Sequence, residues 1–504
     1  MKAKGSGIAV FLEKIALIIT LLAFLAVTLA GFFVTCQIEI DRPSENIERV
    51  LFLPGNVPVN IMALVILLCL VLLVLRQKIE PWMTWAVVGA MVLLVIGGGL
   101  YWVNNTHAIP YADSASLMEH ARWIVLEDWE PIRSSYYLRT FPFQMGYLKY
   151  LELFFRAFGV DAAPAILQKV NVFSVAASNL LVIALGKALF QNRKVTFFTA
   201  ILTLAFVQPI FLTTFLYGNL PGMFFANLGL FCGILAIKKH WAFYFPAGIA
   251  LALACILKMN FAIAVIALGI VLVLSAIKGR NWIPALAALA IAALVLFAGS
   301  LPQKHYEKRA GVSFGEGTPQ TAWLVTGFRE SSLCSGWYNS YTTTVLMENG
   351  YDQEQTKAQI QKDFQERLSI FLSRPRYAAA FFGKKYISQW QEPTYQSVWS
   401  SAAGEHRAAP APAVESIYSG RAGEVLFAYC THLVHLIYVG FLLGVLRLIK
   451  GSNLPALALP LVLLGAALYH LIFEAKAQYV LVYIPLMLPI AAQGLVNLSA
   501  KSKK

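Results

Sequence analysis

The chain has 504 residues, of which 58% are hydrophobic and only 13% charged, with a formal net charge of +14 and a mean hydropathy of +0.65. A soluble globular domain carries roughly 25% charged residues, so this composition excludes a soluble enzyme of this length. It also argues against a nucleic-acid groove, because the lysines and arginines form no stripe interleaved with aromatics.

A helix needs about 20 apolar residues to cross a hydrocarbon core about 30 Å thick, with about 17 as a lower limit. Lipid offers no hydrogen bonds, so closely spaced spans are helical. This rule predicts twelve spans, over about 9–35, 59–76, 82–103, 167–190, 196–214, 221–237, 241–257, 260–277, 281–301, 424–447, 453–472 and 477–495. The expected fold class is an all-α polytopic membrane protein. The first apolar stretch is longer than a secretory leader's and has Glu13 and Lys14 at its start, so it is expected to be retained.

The basic residues cluster in short gaps between spans. They are Lys2 and Lys4, Arg76 and Lys78, Arg193 and Lys194, Lys238 and Lys239, Lys278 and Arg280, Arg447 and Lys450, and the lysines at 501, 503 and 504. That is the positive-inside pattern, and it puts both termini in the cytoplasm. Of the 26 acidic residues, all but Glu13 and Glu80 then fall outside. The organisation expected is three N-terminal spans (1–103) with an outer loop over 36–58, a first large outer loop (104–168), a six-span core (169–301), a second large outer loop (302–423) and three C-terminal spans (424–504).

The first outer loop carries Glu39, Asp41, Glu45 and Glu48. In the 104–168 loop, Ser116 and Glu119 have capping-box spacing, and Leu117, Ala121, Ile124 and Val125 form an apolar helical stripe. In the 302–423 loop, Asp352 with Gln355 predicts a helix start. Ile360, Phe364, Leu368 and Phe371 share one face, and Pro375 ends that helix. A second helix, about 376–390, mixes Tyr377, Phe381, Tyr386 and Trp390 with Lys384 and Lys385, a composition suited to a membrane boundary. An Ala/Pro/Gly-rich stretch over 402–414 reads as a linker. The six cysteines show no metal spacing and predict no essential disulfide.

No P-loop, GxSxG, HExxH or helix-opening GxGxxG is present. The candidate residues sit at the outer ends of spans. Asp113 follows the third span. Local sequence favours a helix N-cap, with a general base toward a hydroxyl as the other reading. Lys258 interrupts two apolar runs, as a phosphate-binding point charge or a snorkelling lysine. Arg139 precedes Thr140-Phe141-Pro142-Phe143-Gln144 and suits bidentate phosphate binding, or is an ordinary loop charge. Glu474, Lys476 and Tyr479 crowd the turn between the last two spans, as substrate-binding groups or as an ion pair tying two helix ends. His470 shares a face with Glu474 if the helix continues. His432 and His435 read as core histidines. Glu127, Asp128 and Glu130 read as a solvated helix end, and Tyr217–Gly222 as a tight turn.

In order along the chain come a membrane-edge Asp, an amphipathic helix, an aromatic-Pro-aromatic-Gln segment, a long outer loop and a Glu-Ala-Lys-Ala-Gln-Tyr turn. The carrying segments are 111–159, 217–221, 257–260, 323–339, 384–395 and 473–479. This order resembles the polyprenyl-phosphate-dependent GT-C glycosyltransferases, specifically the bacterial family-39-like (mannosyltransferase-like) membrane proteins. The resemblance implies a GT-C-like fold in a bacterial cytoplasmic membrane. It implies a polyprenyl-phosphate-linked sugar as donor, a glycan or lipid as acceptor, and inversion at the anomeric carbon. Asp113 would be the base, with Lys258, Arg139 and Lys476 as candidates to hold the leaving phosphate. Asp113 is followed by Ser114 where many relatives carry a second acid or Gln, and Asn219 stands where an acid sometimes sits. The second acid is therefore open, and so is a divalent cation; no other cofactor is expected. A lipid-linked saccharide transporter and a glycan polymerase or ligase are the alternative functions.

Overall fold

The computed structural model describes residues 2–40 and 48–500, so Asp41 and Glu45 lie outside the described residues. Among the described residues, eleven helices are long and apolar enough to cross a membrane. They are Gly7–Phe33, Val57–Arg76, Pro81–Asn105, Ala163–Phe190, Arg193–Phe211, Asn219–Lys238, Met259–Gly279, Ile283–Ala310, Arg421–Lys450, Leu454–Ile472 and Ala477–Leu498. The twelfth expected span is the shorter apolar helix Trp241–Leu257, which begins with a 3₁₀ turn over Trp241–Phe243. The chain is an all-α, multi-pass membrane protein.

The helices alternate in direction, so every second turn comes to the same end of the bundle. One end collects the turns at 76–80, 191–192, 239–240, 280–282 and 451–453, where the basic clusters lie. The other collects the segments at 34–56, 106–162, 212–218, 258, 311–420 and 473–476. Ala477–Leu498 lies deepest, with 89% of its apolar window buried against 11% for Val57–Arg76, which is therefore a peripheral, lipid-facing helix. Close backbone approach holds the centre: a Cβ on Gly494 would lie 2.1 Å from the Gly440 carbonyl oxygen, the small-residue packing that membrane helices use.

Three features depart from the sequence expectations. The end of the first expected span and the 36–58 loop form a two-stranded antiparallel hairpin, Val34–Ile38 against Val50–Pro54, with Cys36 opposite Phe52. Its β-branched and aromatic residues favour this form. Partners from the 311–420 segment satisfy its edges, with Cys36 N donating to Gln391 O at 2.9 Å and Val50 N to Leu333 O at 3.1 Å. The helix expected to end at 301 runs on to Ala310 through Pro302. Its extension buries Tyr306 and Ala310 against the 145–155 segment. The helix expected to start near Ser116 starts at Ala112. Ser116 is thus one turn inside it, and its carbonyl meets His120 Nδ1 at 2.5 Å, so there is no capping box. Leu117, Ala121 and Ile124 are fully buried, as the stripe predicts.

Asp352 caps Gln353–Ser373, accepting from Glu354 N and Gln355 N, both at 2.9 Å. Ile360 and Phe371 are buried on that helix, but Leu368 is exposed. Pro375–Trp390 follows. The 402–414 stretch pairs back onto the end of the third span, with Ile109 N donating to Glu405 O and Arg407 N to His107 O, both at 2.9 Å. This contact sets the chain's approach to Asp113. All six cysteines are free thiols.

Candidate active site

Asp113 lies in the first turn of Ala112–Val125, but the N-cap is Tyr111, and no side chain makes the cap hydrogen bond. The capping alternative for Asp113 is therefore not what the helix uses. The preceding residue, Ala112, takes φ +50°, a left-handed conformation that costs an alanine about 1 kcal/mol or more. Ser114 Oγ donates to Leu216 O at 2.8 Å, which pins the helix start to the next turn of the same bundle end. That turn presents Tyr217, whose hydroxyl donates to Asp113 Oδ2 at 2.9 Å. Gln144 Nε2 donates in turn to the Tyr217 hydroxyl. Burial, and then the Asp113 charge, push the Tyr217 phenol up, so it stays protonated and remains a donor.

Gly218 makes this geometry. Its φ is +76°, and a Cβ there would lie 2.4 Å from Leu257 O. The turn can therefore press directly on the chain beside Lys258. Lys258 Nζ donates to Asn219 Oδ1 at 2.6 Å. It lies 4.9 Å from the Tyr217 ring centroid and 5.2 Å from that of Tyr479, where ring quadrupoles attract a cation. Replacing Gly218 by Ala is expected to destabilise the protein by about 2–4 kcal/mol, from backbone strain plus overpacking. A drop of several degrees in Tm measured in detergent checks this.

The 473–476 turn completes the cluster. Leu454–Ile472 ends before Glu474, so His470 and Glu474 do not share a helix face. Instead His470 Nδ1 approaches the Glu474 backbone oxygen at 3.3 Å, and its ring stacks on Tyr479. The Tyr479 hydroxyl donates to Glu474 Oε1 at 3.0 Å. Lys476 Nζ reaches Glu48 at 2.6 Å, and both are mostly buried. Glu48 comes from the hairpin segment. Lys385, fully buried, holds the turn from below, donating to Phe473 O at 2.7 Å and Gly327 O at 2.6 Å.

Of the residues singled out in sequence, Asp113, Lys258, Glu474, Lys476 and Tyr479 come together. Arg139 does not. It is exposed, and its guanidinium donates to Arg133 O at 3.1 Å. The histidines at 432 and 435 lie apart from the cluster, with His435 Nε2 on Gly31 O at 3.1 Å. Glu127 is paired rather than free, lying 3.0 Å from Arg156. It joins a network around the buried Glu152, which receives Lys149, Arg156, Arg309 and the Tyr306 hydroxyl. Burial opposes ionisation there, yet these donors hold the Glu152 carboxyl down at about 2. That network ties the 145–158 helix to the 302–310 extension. Tyr217, Gln144, Glu48 and Asn219 are site residues that periodicity did not single out. Gln144 and Asn219 stood in the segments that carry the family resemblance, whereas nothing local marks Glu48.

No protein-family model matches the chain, and no curated protein matches it. Three chains among solved structures are similar to this one. One of them is the crystal structure of ArnT from Cupriavidus metallidurans bound to undecaprenyl phosphate, at 13% identity over 82% of this chain and 78% of that one, with a TM-score of 0.30.

Charge bookkeeping within the cluster identifies the group available to a ligand. Lys476 is held up by Glu48 and Glu474, which together outweigh its burial, so it is already paired. Burial raises the Glu474 carboxyl, favouring its neutral form. Burial pushes the Lys258 ammonium down to about 7, against the pull of Asp113. Among the described residues Lys258 has no ion-pair partner; its hydrogen bond is to a neutral amide, which leaves ammonium donors to spare. Asn219 Nδ2, also buried, has no hydrogen-bond partner. Two kinds of donor therefore stand near one exposed carboxylate, and the Tyr217 side chain meets both that carboxylate and the Lys258 ammonium. Among the described residues no three His, Cys, Asp or Glu side chains are grouped to hold a metal ion. The Asp113, Glu474 and Glu48 carboxylates are engaged by Tyr217, Tyr479 and Lys476 respectively.

Proposed function

We propose that this cleft transfers a sugar from a polyprenyl-phosphate carrier to a hydroxyl of a glycan or lipid acceptor, on the exterior face of a bacterial cytoplasmic membrane. The observation that carries this reading is the juxtaposition of Asp113 with Lys258 and Asn219 across the Tyr217 side chain. The cluster lies where spans end, so a carrier's headgroup can reach it while its isoprenoid tail stays in lipid.

The acceptor oxygen attacks the anomeric carbon as its proton passes to an Asp113 carboxylate oxygen. The bond from that carbon to the phosphate oxygen breaks with inversion, and the electron pair leaves with the phosphate. Lys258 Nζ and Asn219 Nδ2 take the charge that develops on the leaving oxygen, where preorganised donors are most effective. Tyr217 aims the carboxylate, and its ring supports the ammonium. Lys476, paired with Glu48, borders the cleft. Arg139 would need to move to take part.

The deciding experiment incubates the purified protein with a radiolabelled polyprenyl-phosphate monosaccharide and cell-envelope acceptor. Sugar transfer or donor cleavage supports a transferase. Movement of the intact donor across a vesicle membrane without bond cleavage would make the protein a transporter. In the same assay Glu48→Gln is expected to lower kcat/KM about tenfold. Without Glu48, burial pulls the Lys476 pKa down, so this variant should lose further activity as pH rises above neutrality. An unchanged pH profile would show that Lys476 does not face the substrate.

A further inference from the structure

At the basic end of the bundle, two turns far apart in sequence border one open surface cavity of 550 Å³, lined by Arg76, Gln77, Lys78, Ile79, Arg193 and Lys194. Lys194 Nζ donates to Leu75 O at 2.6 Å and Arg193 Nη1 to Ile79 O at 3.4 Å, so these two side chains bolt the turns together. Lys78 meets the acid Glu80 at 2.7 Å. Arg76 is exposed and makes no hydrogen bond or ion pair with any other described residue. The start of the Arg193–Ala205 helix is already capped by Asn192 Oδ1, so the positive character comes from side chains rather than from bare backbone donors. Four cations thus face one space with one acid beside them. The positive-inside tendency explains basic residues in each turn, but not the convergence of two turns on a single cavity.

The flank of the cavity is apolar and open to lipid. Val57–Arg76 is the least buried of the long spans. Leu73 precedes Arg76 by three residues, which places the two on one helix face, and both Leu70 and Leu73 are exposed. Trp82 and Trp85 are exposed on the next helix, just beyond the turn, where indoles mark headgroup depth. We propose that this cavity holds the phosphate headgroup of an anionic membrane lipid, with its acyl chains lying along the Leu70–Leu73 face. A free phosphate would meet the same cations without the apolar flank, so the lipid is the ligand to which the geometry points.

The test measures phosphatidylglycerol against phosphatidylcholine bound to the full chain by native mass spectrometry from mixed micelles. The variant is Arg76→Gln with Lys78→Gln, which spares the Arg193 and Lys194 bonds that join the turns. Each basic residue near an anionic headgroup is worth roughly a factor of five, so the pair should account for a preference of about tenfold or more. The proposal expects that preference in the unaltered protein, its loss in the double variant, and its recovery in Arg76→Lys with Lys78→Arg. Glycerol phosphate at millimolar concentration should fail to displace the lipid. Equal retention by the double variant would overturn the site, and displacement by glycerol phosphate would make it a soluble-phosphate site instead. If the double variant does not show a cooperative melt, Arg76→Gln alone gives the same reading, because that side chain supports no other contact.

Discussion

Asp113→Asn should fold, insert and bind donor, yet lose sugar transfer by a factor of about 10²–10⁴, the usual contribution of a positioned general base. The physical case rests on how little the carboxylate contributes to the fold. Tyr111, not Asp113, is the N-cap of its helix, so the substitution removes no cap bond. An asparagine oxygen can still accept from the Tyr217 hydroxyl, which keeps the local arrangement. The remaining loss is the favourable charge near a helix N-terminus, worth about 0.3–1 kcal/mol. Stability and transfer should therefore separate: Tm nearly unchanged, kcat collapsed. Transfer by this variant at the unaltered rate would remove the base assignment, and a collapse in Tm to match the loss of activity would make Asp113 structural.

Lys258 carries the second large effect. Lys258→Met removes a cation that has no ion-pair partner among the described residues, and should lower kcat by about 10²–10³, as removal of a preorganised donor does. The pH dependence gives an independent reading. Burial holds this ammonium down at about 7 in the free protein. The protonated form is the one that binds phosphate, so kcat/KM should fall about tenfold per pH unit above that value. A bound phosphate dianion favours the proton, so the same limb in kcat should lie at higher pH than in kcat/KM. Lys258→Arg keeps its charge throughout this range, and should retain partial activity with no alkaline limb near neutrality. If the limb persists in Lys258→Arg, another group produces it.

The sequence by itself determined that this chain is a multi-pass helical membrane protein, because the length and spacing of its apolar runs leave a lipid-immersed backbone no other way to satisfy its hydrogen bonds. Alternation of the spans then assigned Asp113, Lys258, Glu474 and Lys476 to one end of the bundle, since each falls in an alternate turn. Tertiary structure decided which of these residues meet. Arg139 sits in the same outer segment as Asp113, yet it turns to the Arg133 carbonyl, an outcome set by the packing of short helices that no periodicity encodes. Glu48 reaches Lys476 only because the 34–54 hairpin is held at both edges by the 311–420 segment. Tyr217 becomes the bridge between carboxylate and ammonium because Gly218 alone lets its turn press on Leu257. Local sequence sets helices through propensity and burial pattern. A site built from five separate turns depends on long-range contacts, and these exist only once the bundle has packed.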